Sequence, residues 1–329
     1  MEQIIDPIAK DLIKSELTVQ KRVRGTNKAN NEIYIFTSHD SPNLMKEVGR
    51  LREIAFRHYG GGTGLSADID KYDTMEVPYK QLIVWDPENE EILGGYRFIY
   101  GSDVEIDKNG KPLLATAHLL NFSDTFMKDY LPHTVELGRS FVSLDYQSTL
   151  MGRKGIFALD NLWDGLGALT VIDPDIKYFF GKVTMYGTYD KNARNVILYF
   201  LNKHFPDKDE MVRPINPLET GTNISEMEEL FKGKNFKEDY KILNKEVRAL
   251  GYNIPPLINA YMSLSPTMKF FGTAINDEFG NVEESGILIE INEILEEKRA
   301  RHIESYLKSN PSKRFLLRLR DMLTNKHKK

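Results

Sequence analysis

The chain has 329 residues, 41% of them hydrophobic and 28% charged, and this ordinary globular composition excludes a wholly disordered or fibrous protein. Its 44 basic and 48 acidic residues give a formal net charge of −4, so we expect no nucleic-acid partner. The absence of cysteine excludes disulfides, thiolate zinc sites and cysteine nucleophiles.

The N-terminal residues lack the basic and apolar regions of a signal peptide, and no stretch approaches the ~18 apolar residues of a membrane span. We therefore expect a cytoplasmic protein, at most peripheral at the inner face of the membrane. Residues 1–30 are predicted to form a short helix, whose apolar residues run from Ile4 to Ile13, followed by a basic arm at 21–24.

The next part of the chain is predicted to contain a long helix, a hairpin and a central strand. Ser41-Pro42 is typical of a helix start, and apolar residues at helical spacing predict a helix over about 43–58. After a glycine-rich loop, the pattern predicts two strands joined by an Asp-Pro-Glu-Asn turn, and then a third strand: 81–85, 91–100 and 135–143.

The second half alternates helices and strands before its composition becomes charged. The spacing predicts a helix, a strand and a helix over 156–170, 176–185 and about 190–203. A helical insertion follows at about 206–250, with helices near 224–231 and 237–250, and a late strand at 286–291. This order favours an α+β fold in which sequential strands are antiparallel. We divide the chain into an N-terminal helix and arm (1–30), a main domain (31–291) and a basic helical tail (292–329).

Four short motifs together resemble a known family: Arg52-x-x-x-Phe56, Asp70-x-x-Asp73, Gly94-Gly95-Tyr96-Arg97 and Glu136-Leu137-Gly138-Arg139-Ser140. The series resembles the GNAT-like N-acyltransferases that use acyl carrier protein, including the hemolysin-like ornithine-lipid and glycine-lipid enzymes and, more distantly, the acyl-homoserine-lactone synthases. The resemblance extends over about 45–200. It implies a mixed, mostly antiparallel sheet flanked by helices, and transfer of a long acyl group, with or without a 3-hydroxyl, to an amino acid such as glycine or ornithine.

The resemblance also implies that the donor is an acyl-carrier thioester, with no permanently bound cofactor and no metal. Family members that use acetyl-CoA carry Q/R-x-x-G-x-G/A before the helix that follows the central strand. Here that position offers only Gly152, Arg153, Lys154 and Gly155, which favours phosphopantetheine, with one phosphate, over CoA. Amides and basic side chains at a helix N-terminus could hold that phosphate, although an ordinary surface turn is the alternative.

Amine acylation needs groups that hold the ammonium and remove its proton. An alkyl amine with a pKa of about 10 is only ~0.1% free base near neutral pH, equivalent to roughly 4 kcal/mol. The candidate catalytic residues are two aspartates, one glutamate and two arginines: Asp70, Asp73, Glu136, Arg97 and Arg139. The resemblance implies substrate binding by Arg52, Phe56, Ser140, Phe141 and Val142. The alternative is structural: a solvated acidic turn partnered with Arg52 or Arg97, and an ion pair between Glu136 and Arg139.

Glu136 and Arg139 impose a condition on the central strand. In a regular strand their side chains point to opposite faces. We therefore predict a bulge or splay near Gly138, which would return both side chains to one face and free backbone N–H groups for a developing oxyanion. Glu136 would then lie within reach of the Asp70 and Asp73 region.

Two other functions and one further surface follow from the same sequence. A signal synthase with a cyclising acceptor would need S-adenosylmethionine, for which no motif is present, and a non-catalytic acyl- or lipid-binding module would have lost the candidate residues. In the basic tail, a set of apolar residues falls on one helix side beside arginines: Phe315, Leu316, Leu319 and Leu323 with Arg314, Arg318 and Arg320. We expect this tail to dock on an anionic membrane or on the acidic carrier protein, and a packed terminal helix is the alternative.

Overall fold

The computed structural model describes residues 1–147 and 153–309. The helices in these ranges are α1 (Lys10–Glu16), α2 (Pro42–His58), α3 (Lys71–Thr74), α4 (Arg153–Ile172), α5 (Lys191–His204), α6 (Ile224–Leu230), α7 (Phe236–Ala249), α8 (Pro256–Met262), α9 (Glu296–Arg299) and α10 (Ser305–Ser309). The strands are β1 (Arg22–Gly25), β2 (Glu32–Phe36), β3 (Lys80–Asp86), β4 (Glu91–Tyr100), β5 (Leu120–Phe122), β6 (Thr134–Val142), β7 (Tyr178–Met185), β8 (Val212–Pro214), β9 (Lys269–Asn276) and β10 (Val282–Glu290).

An eight-stranded sheet forms the centre of the molecule, in the order β1-β2-β3-β4-β6-β7-β10-β9. Neighbouring strands are antiparallel except for β6 and β7, which are parallel. The short strands β5 and β8 pair separately. The predicted α+β class, with a mixed and mostly antiparallel sheet flanked by helices, is therefore confirmed.

The two faces of the sheet are covered by different helices. On one face, apolar residues of α2 such as Leu44 and Val48 pack against Phe36 and Ile83 of the sheet. On the other face, the α4 residues Leu162 and Leu166 join a larger core with residues of α5, α7 and α8. Because side chains alternate along each strand, a residue's position in its strand decides which core it enters.

The parallel pair at the centre of the sheet separates partway along. The pairing of β6 with β7 runs from Thr134 opposite Tyr178 to Leu137 opposite Gly181, although β6 continues to Val142 and β7 to Met185. Beyond Leu137, β6 and β7 no longer pair with each other along the edges that face each other. Main-chain N–H and C=O groups on such edges are available to a ligand.

The N-terminal segment differs from its prediction. Residues before Lys10 are extended rather than helical, and the amides of Glu2 and Ile5 bond to the carbonyls of Gly64 and Ser66. Pro7 explains the late helix start, because the residue before a proline disfavours the helical conformation. The basic arm forms the edge strand β1 rather than a free arm.

The predicted helix starting at Ser41-Pro42 is confirmed, but its cap comes from another element. Ser41 occupies the N-cap position without a side-chain capping bond. The carboxylate of Glu16, at the end of α1, instead accepts from the amides of Asn43 at 3.1 Å and Leu44 at 2.8 Å. A carboxylate there also complements the positive end of the helix dipole.

The remaining predictions divide into confirmed elements and untested ones. The hairpin, the central strand and both insertion helices are confirmed, while β2 and β9 were not predicted. The basic tail beyond residue 309 lies outside the described residues, so its docking stays a prediction, as does the division into domains. No helix in the described ranges is long and apolar enough to cross a membrane.

Candidate active site

A cavity of about 830 Å³ occupies the gap between the separating halves of β6 and β7. This volume is typical of small-molecule sites. On the α2 face its lining combines charged and polar side chains with aromatic rings: Arg97, Thr116, Glu136, Arg139, Lys182, Thr184 and Glu284, with Phe56, Phe141, Phe180 and Phe279. On the α4 face its lining is mainly apolar: Leu137, Leu159, Phe179, Leu257, Tyr261, Ile287 and Ile289. The cavity therefore passes through the sheet and joins a polar chamber to an apolar arm.

The bulge predicted near Gly138 is confirmed. Gly95 of β4 lies opposite Phe141, whereas Arg97 lies opposite Gly138, so β6 contains one extra residue in this interval. Within the bulge, Arg139 has a strained backbone conformation, because its φ of 48° is in the left-handed region. As a result, Arg97, Glu136 and Arg139 all line the polar chamber.

Three aspartates and three arginines form a buried cluster beside the chamber. Arg97 donates from Nη1 to Asp70 Oδ2 at 2.7 Å and to Asp73 Oδ2 at 3.2 Å. Arg139 Nε lies 2.8 Å from Asp68 Oδ2, and its Nη2 lies 3.5 Å from Asp70. The cluster is completed by Arg52, which contacts Asp73 at 3.5 Å and hydrogen-bonds to Gln81.

The short helix α3 orients two of these carboxylates. Asp70 is its N-cap and accepts from the amides of Tyr72 and Asp73, while Asp73 accepts from the Asp70 amide at 3.1 Å. This reciprocal capping box leaves one Asp70 oxygen for the arginines. The alternative of a solvated turn is wrong, since Asp73 is fully buried and Asp70 is only a quarter exposed. The partners named for that turn, Arg52 and Arg97, both contact Asp73.

Burial and the arginines act in opposite directions on these acids. Burial would raise the pKa of Asp70, but the nearby guanidinium groups of Arg97 and Arg139 outweigh it and lower that pKa to about 2. For Asp68, burial prevails over Arg139 and raises the pKa. Because each aspartate faces an arginine, the cluster is nearly charge-balanced and holds Arg97 and Arg139 in fixed positions.

Glu136 is held by neutral donors rather than by the arginines. Its carboxylate accepts from the Tyr79 hydroxyl and from the amides of Thr116 at 3.0 Å and Ala115 at 3.3 Å. Burial and Glu136 raise the pKa of Tyr79, which keeps this phenol protonated as a donor. Among the described residues, neither Arg139 nor the aspartates bond to Glu136, so the alternative of a structural ion pair between Glu136 and Arg139 is wrong.

Arg97 separates Glu136 from the aspartate cluster. Its guanidinium carbon lies 5.2 Å from the centroid of the Tyr79 ring, while Nη1 bonds to Asp70 and Asp73. The predicted link between Glu136 and the aspartates is therefore indirect. Glu136 bonds to Tyr79, the Tyr79 ring lies against Arg97, and Arg97 bonds to Asp70 and Asp73.

A second polar group lies on β7, β9 and β10, and the sequence analysis missed it. Lys182 Nζ lies 2.5 Å from Glu284 Oε2, and Glu284 also accepts from Asn276 Nδ2 at 2.9 Å and Thr184 Oγ1 at 3.3 Å. Burial and the Lys182 charge lower the pKa of nearby His118, whose Nε2 lies 3.3 Å from Asn276 Oδ1. A lysine in the middle of the largely apolar strand β7 was the available signal.

The structure divides the predicted substrate-binding residues. Phe56, Ser140, Phe141 and Val142 line the cavity, whereas Arg52 lies behind it, fully buried. Of the proposed phosphate-binding residues, Gly152 lies outside the described residues. Arg153, Lys154 and Gly155 are described only as the backbone at the start of α4, so phosphate binding stays a prediction. In the described ranges no group of three or more acidic or histidine side chains could hold a metal ion.

The chain is similar in sequence to proteins of a known family. Residues 51–153 match the acetyltransferase (GNAT) domain family. A glycine N(alpha)-acyltransferase of Phocaeicola vulgatus is 67% identical over 311 residues, covering 94% of this chain and 95% of the relative. A glycine N(alpha)-acyltransferase of Bacteroides thetaiotaomicron is 66% identical, covering 94% of this chain and 92% of the relative. The solved structure of a CoA-dependent acyl-homoserine lactone synthase, BjaI, with SAM and isopentyl-CoA matches with a TM-score of 0.35 and 11% identity, covering 85% of this chain and 89% of that one.

Proposed function

The chain belongs to the same GNAT acyltransferase family as these two relatives, and from this we propose that it transfers a long acyl chain from acyl carrier protein to the amine of glycine. The name that both relatives carry supports glycine over ornithine as the acceptor. The product would be an N-acyl amino acid, the precursor of an aminolipid, made at the inner face of the membrane.

The observation that carries this proposal is the cavity that crosses the sheet. Its apolar arm suits an acyl chain, and its polar chamber suits a zwitterionic amino acid. The thioester carbonyl would then lie in the gap between β6 and β7, beside the bulge at Arg139 and Ser140. Phosphopantetheine carries amide groups, which can pair with the free edges of the two strands.

Direct attack of the amine on the thioester follows from this arrangement. Glu136 would hold the ammonium and accept its proton, because it reaches the chamber and no cation in the described ranges bonds to it. The free amine then forms the C–N bond while the C–S bond breaks, and the thiolate leaves as the carrier thiol after taking up a proton. Backbone amides near the bulge would stabilise the oxyanion.

The choice of donor and acceptor can be tested with purified protein. We expect kcat/KM with a long-chain acyl carrier protein and glycine to exceed greatly that with acetyl-CoA, and mass spectrometry to identify N-acylglycine. An ornithine reaction run in parallel tests the acceptor. Equal or better kcat/KM with acetyl-CoA would contradict the proposed donor and indicate an ordinary acetyltransferase. Lipids of cells that overexpress the protein provide an independent check of the product.

A further inference from the structure

The pair formed by Lys182 and Glu284 has no part in the mechanism so far. We propose that Lys182 binds the carboxylate of the acceptor amino acid and that Glu284 positions the lysine. This inference rests on the proposed function, because it concerns the acceptor of that reaction. A contact between Lys182 and the acceptor carboxylate would explain why the enzyme selects an amino acid over a simple amine.

Strand register places Lys182 in the same chamber as Glu136. Glu136 lies opposite Phe180 in the parallel pair, and Lys182 follows Phe180 by two residues, so both side chains leave the same face of the sheet. Thr184 lies opposite Glu284 on the neighbouring strand and shares that face. All four positions line the cavity: Glu136, Lys182, Thr184 and Glu284.

Lys182 retains hydrogen-bonding capacity after it pairs with Glu284. A lysine ammonium has three N–H donors, and Glu284 is its only partner in the described part of the chain. Glu284 is 5% exposed, and Asn276 and Thr184 bond to it as well, so its position does not depend on the lysine alone. The remaining donors of Lys182 are free to bind an incoming carboxylate.

The two arginines of the chamber are more tightly engaged. Arg97 bonds to Asp70 and Asp73, and Arg139 pairs with Asp68 and Asp70. The guanidinium of Arg139 also lies 4.2 Å from the centroid of the Phe279 ring, which covers one of its faces. Each arginine is therefore anchored to the wall of the chamber by two carboxylates, whereas Lys182 is held by one and can turn toward a ligand.

Glycine complements Glu136 and Lys182, which both line the chamber. Its ammonium would face Glu136, which is held by neutral donors, and its carboxylate would face Lys182. Glycinamide has a similar amine without the carboxylate, so it would leave the lysine unpaired. A site built to bind a charged group discriminates strongly against an analogue that lacks it.

The test compares glycine with glycinamide as acceptors for the full-length enzyme and a long-chain acyl carrier protein. The double variant Lys182→Met/Glu284→Gln removes both charges, which avoids leaving Glu284 buried and unpaired. We expect its preference for glycine to fall about tenfold or more, through KM for glycine, with little change for glycinamide. Lys182→Arg should keep part of the preference. Circular dichroism and thermal melting check that each variant is folded.

The matched control is Lys269→Met, which removes a half-buried lysine of β9, on the same sheet, that pairs with Asp209 at 2.9 Å. It should leave the preference unchanged. A folded double variant with the wild-type preference, or with equal losses for both acceptors, would overturn the proposal. If the wild-type enzyme acylates neither amine, the proposed function fails. Calorimetric binding of glycine to the wild type and the double variant then tests Lys182 independently, since equal affinities would also overturn it.

Discussion

At the scale of single residues, Glu136 is distinguished by the neutrality of its partners. Its carboxyl group accepts from the Tyr79 hydroxyl and from two backbone amides, and no cation in the described ranges bonds to it. The other acids of the site each face a cation: Asp68, Asp70 and Asp73 face arginines, and Glu284 faces Lys182. This difference supports the proposal that Glu136, rather than the aspartates, holds the substrate ammonium.

The substitution Glu136→Gln tests this role. Glutamine retains an oxygen for the Tyr79 hydroxyl but cannot hold an ammonium or take its proton. We expect kcat with acyl carrier protein and glycine to fall by about 10²–10⁴-fold, the usual range for a general acid or base. The control is Glu228→Gln, at an exposed position of α6. Near-normal turnover by a folded Glu136→Gln enzyme would show that this glutamate is structural.

Arg139 has a strained backbone conformation, and its side chain forms two ion pairs. Its left-handed φ of 48° is unfavourable for a residue with a Cβ, by roughly 1–2 kcal/mol. The bulge at this position turns the guanidinium toward Asp68 and Asp70, which compensates the strain through two buried ion pairs. A lysine could not bond to both carboxylates with the same planar fork.

At the scale of elements, α3 is a four-residue helix whose main role is to present acids. Asp70 bonds to the helix amides through Oδ1 and to Arg97 through Oδ2. One side chain thereby joins the capping of α3 to the charge cluster on β4. The local fold and the arrangement of the site consequently depend on the same residue.

The pH dependence of stability should reveal this link. The pKa of Asp70 falls from 3.8 to about 2 in the folded protein, so the ionised form stabilises the fold above about pH 4. That contribution disappears as the pH falls toward about 2. The substitution Asp70→Asn keeps a capping oxygen but removes the charge. We expect it to reduce the unfolding free energy by about 2 kcal/mol at pH 7, and by about half as much at pH 3.

Urea unfolding at both pH values provides this measurement. The control is Asp129→Asn, an exposed aspartate whose loss should change little at either pH. An equal loss of stability at pH 7 and pH 3 for Asp70→Asn would attribute the effect to capping geometry rather than to charge.

At the scale of the whole molecule, the separation of β6 from β7 creates the site. A continuous sheet would seal the α2 face from the α4 face, whereas here one cavity reaches both. Residues from distant parts of the chain therefore meet in it: α8 supplies Leu257 to the apolar arm, and β10 supplies Glu284 to the chamber.

A larger residue at position 257 should shorten the apolar arm. We expect Leu257→Trp to reduce about tenfold the preference for hexadecanoyl over butanoyl carrier protein, measured as the ratio of their kcat/KM values. The reason is that the methylene groups of the longer chain lose their binding space. Leu250→Trp makes the same change at a position that is 41% exposed, and it should leave the ratio unaltered. An unchanged ratio for Leu257→Trp would mean that the acyl chain lies elsewhere.

The sequence by itself determined most of the helices, the central hairpin and the need for a bulge. Helical spacing predicted α2, turn residues predicted the β3–β4 hairpin, and the parity of Glu136 and Arg139 predicted the irregularity in β6, since these are local properties of the chain. Tertiary structure decided the partners. It assigned Asp68 and Asp70 to Arg139, Tyr79 to Glu136 and Glu284 to Lys182, in contacts that join residues 57 to 102 positions apart. Such pairs depend on strand order and on where two strands part, and no local pattern of residue types encodes them.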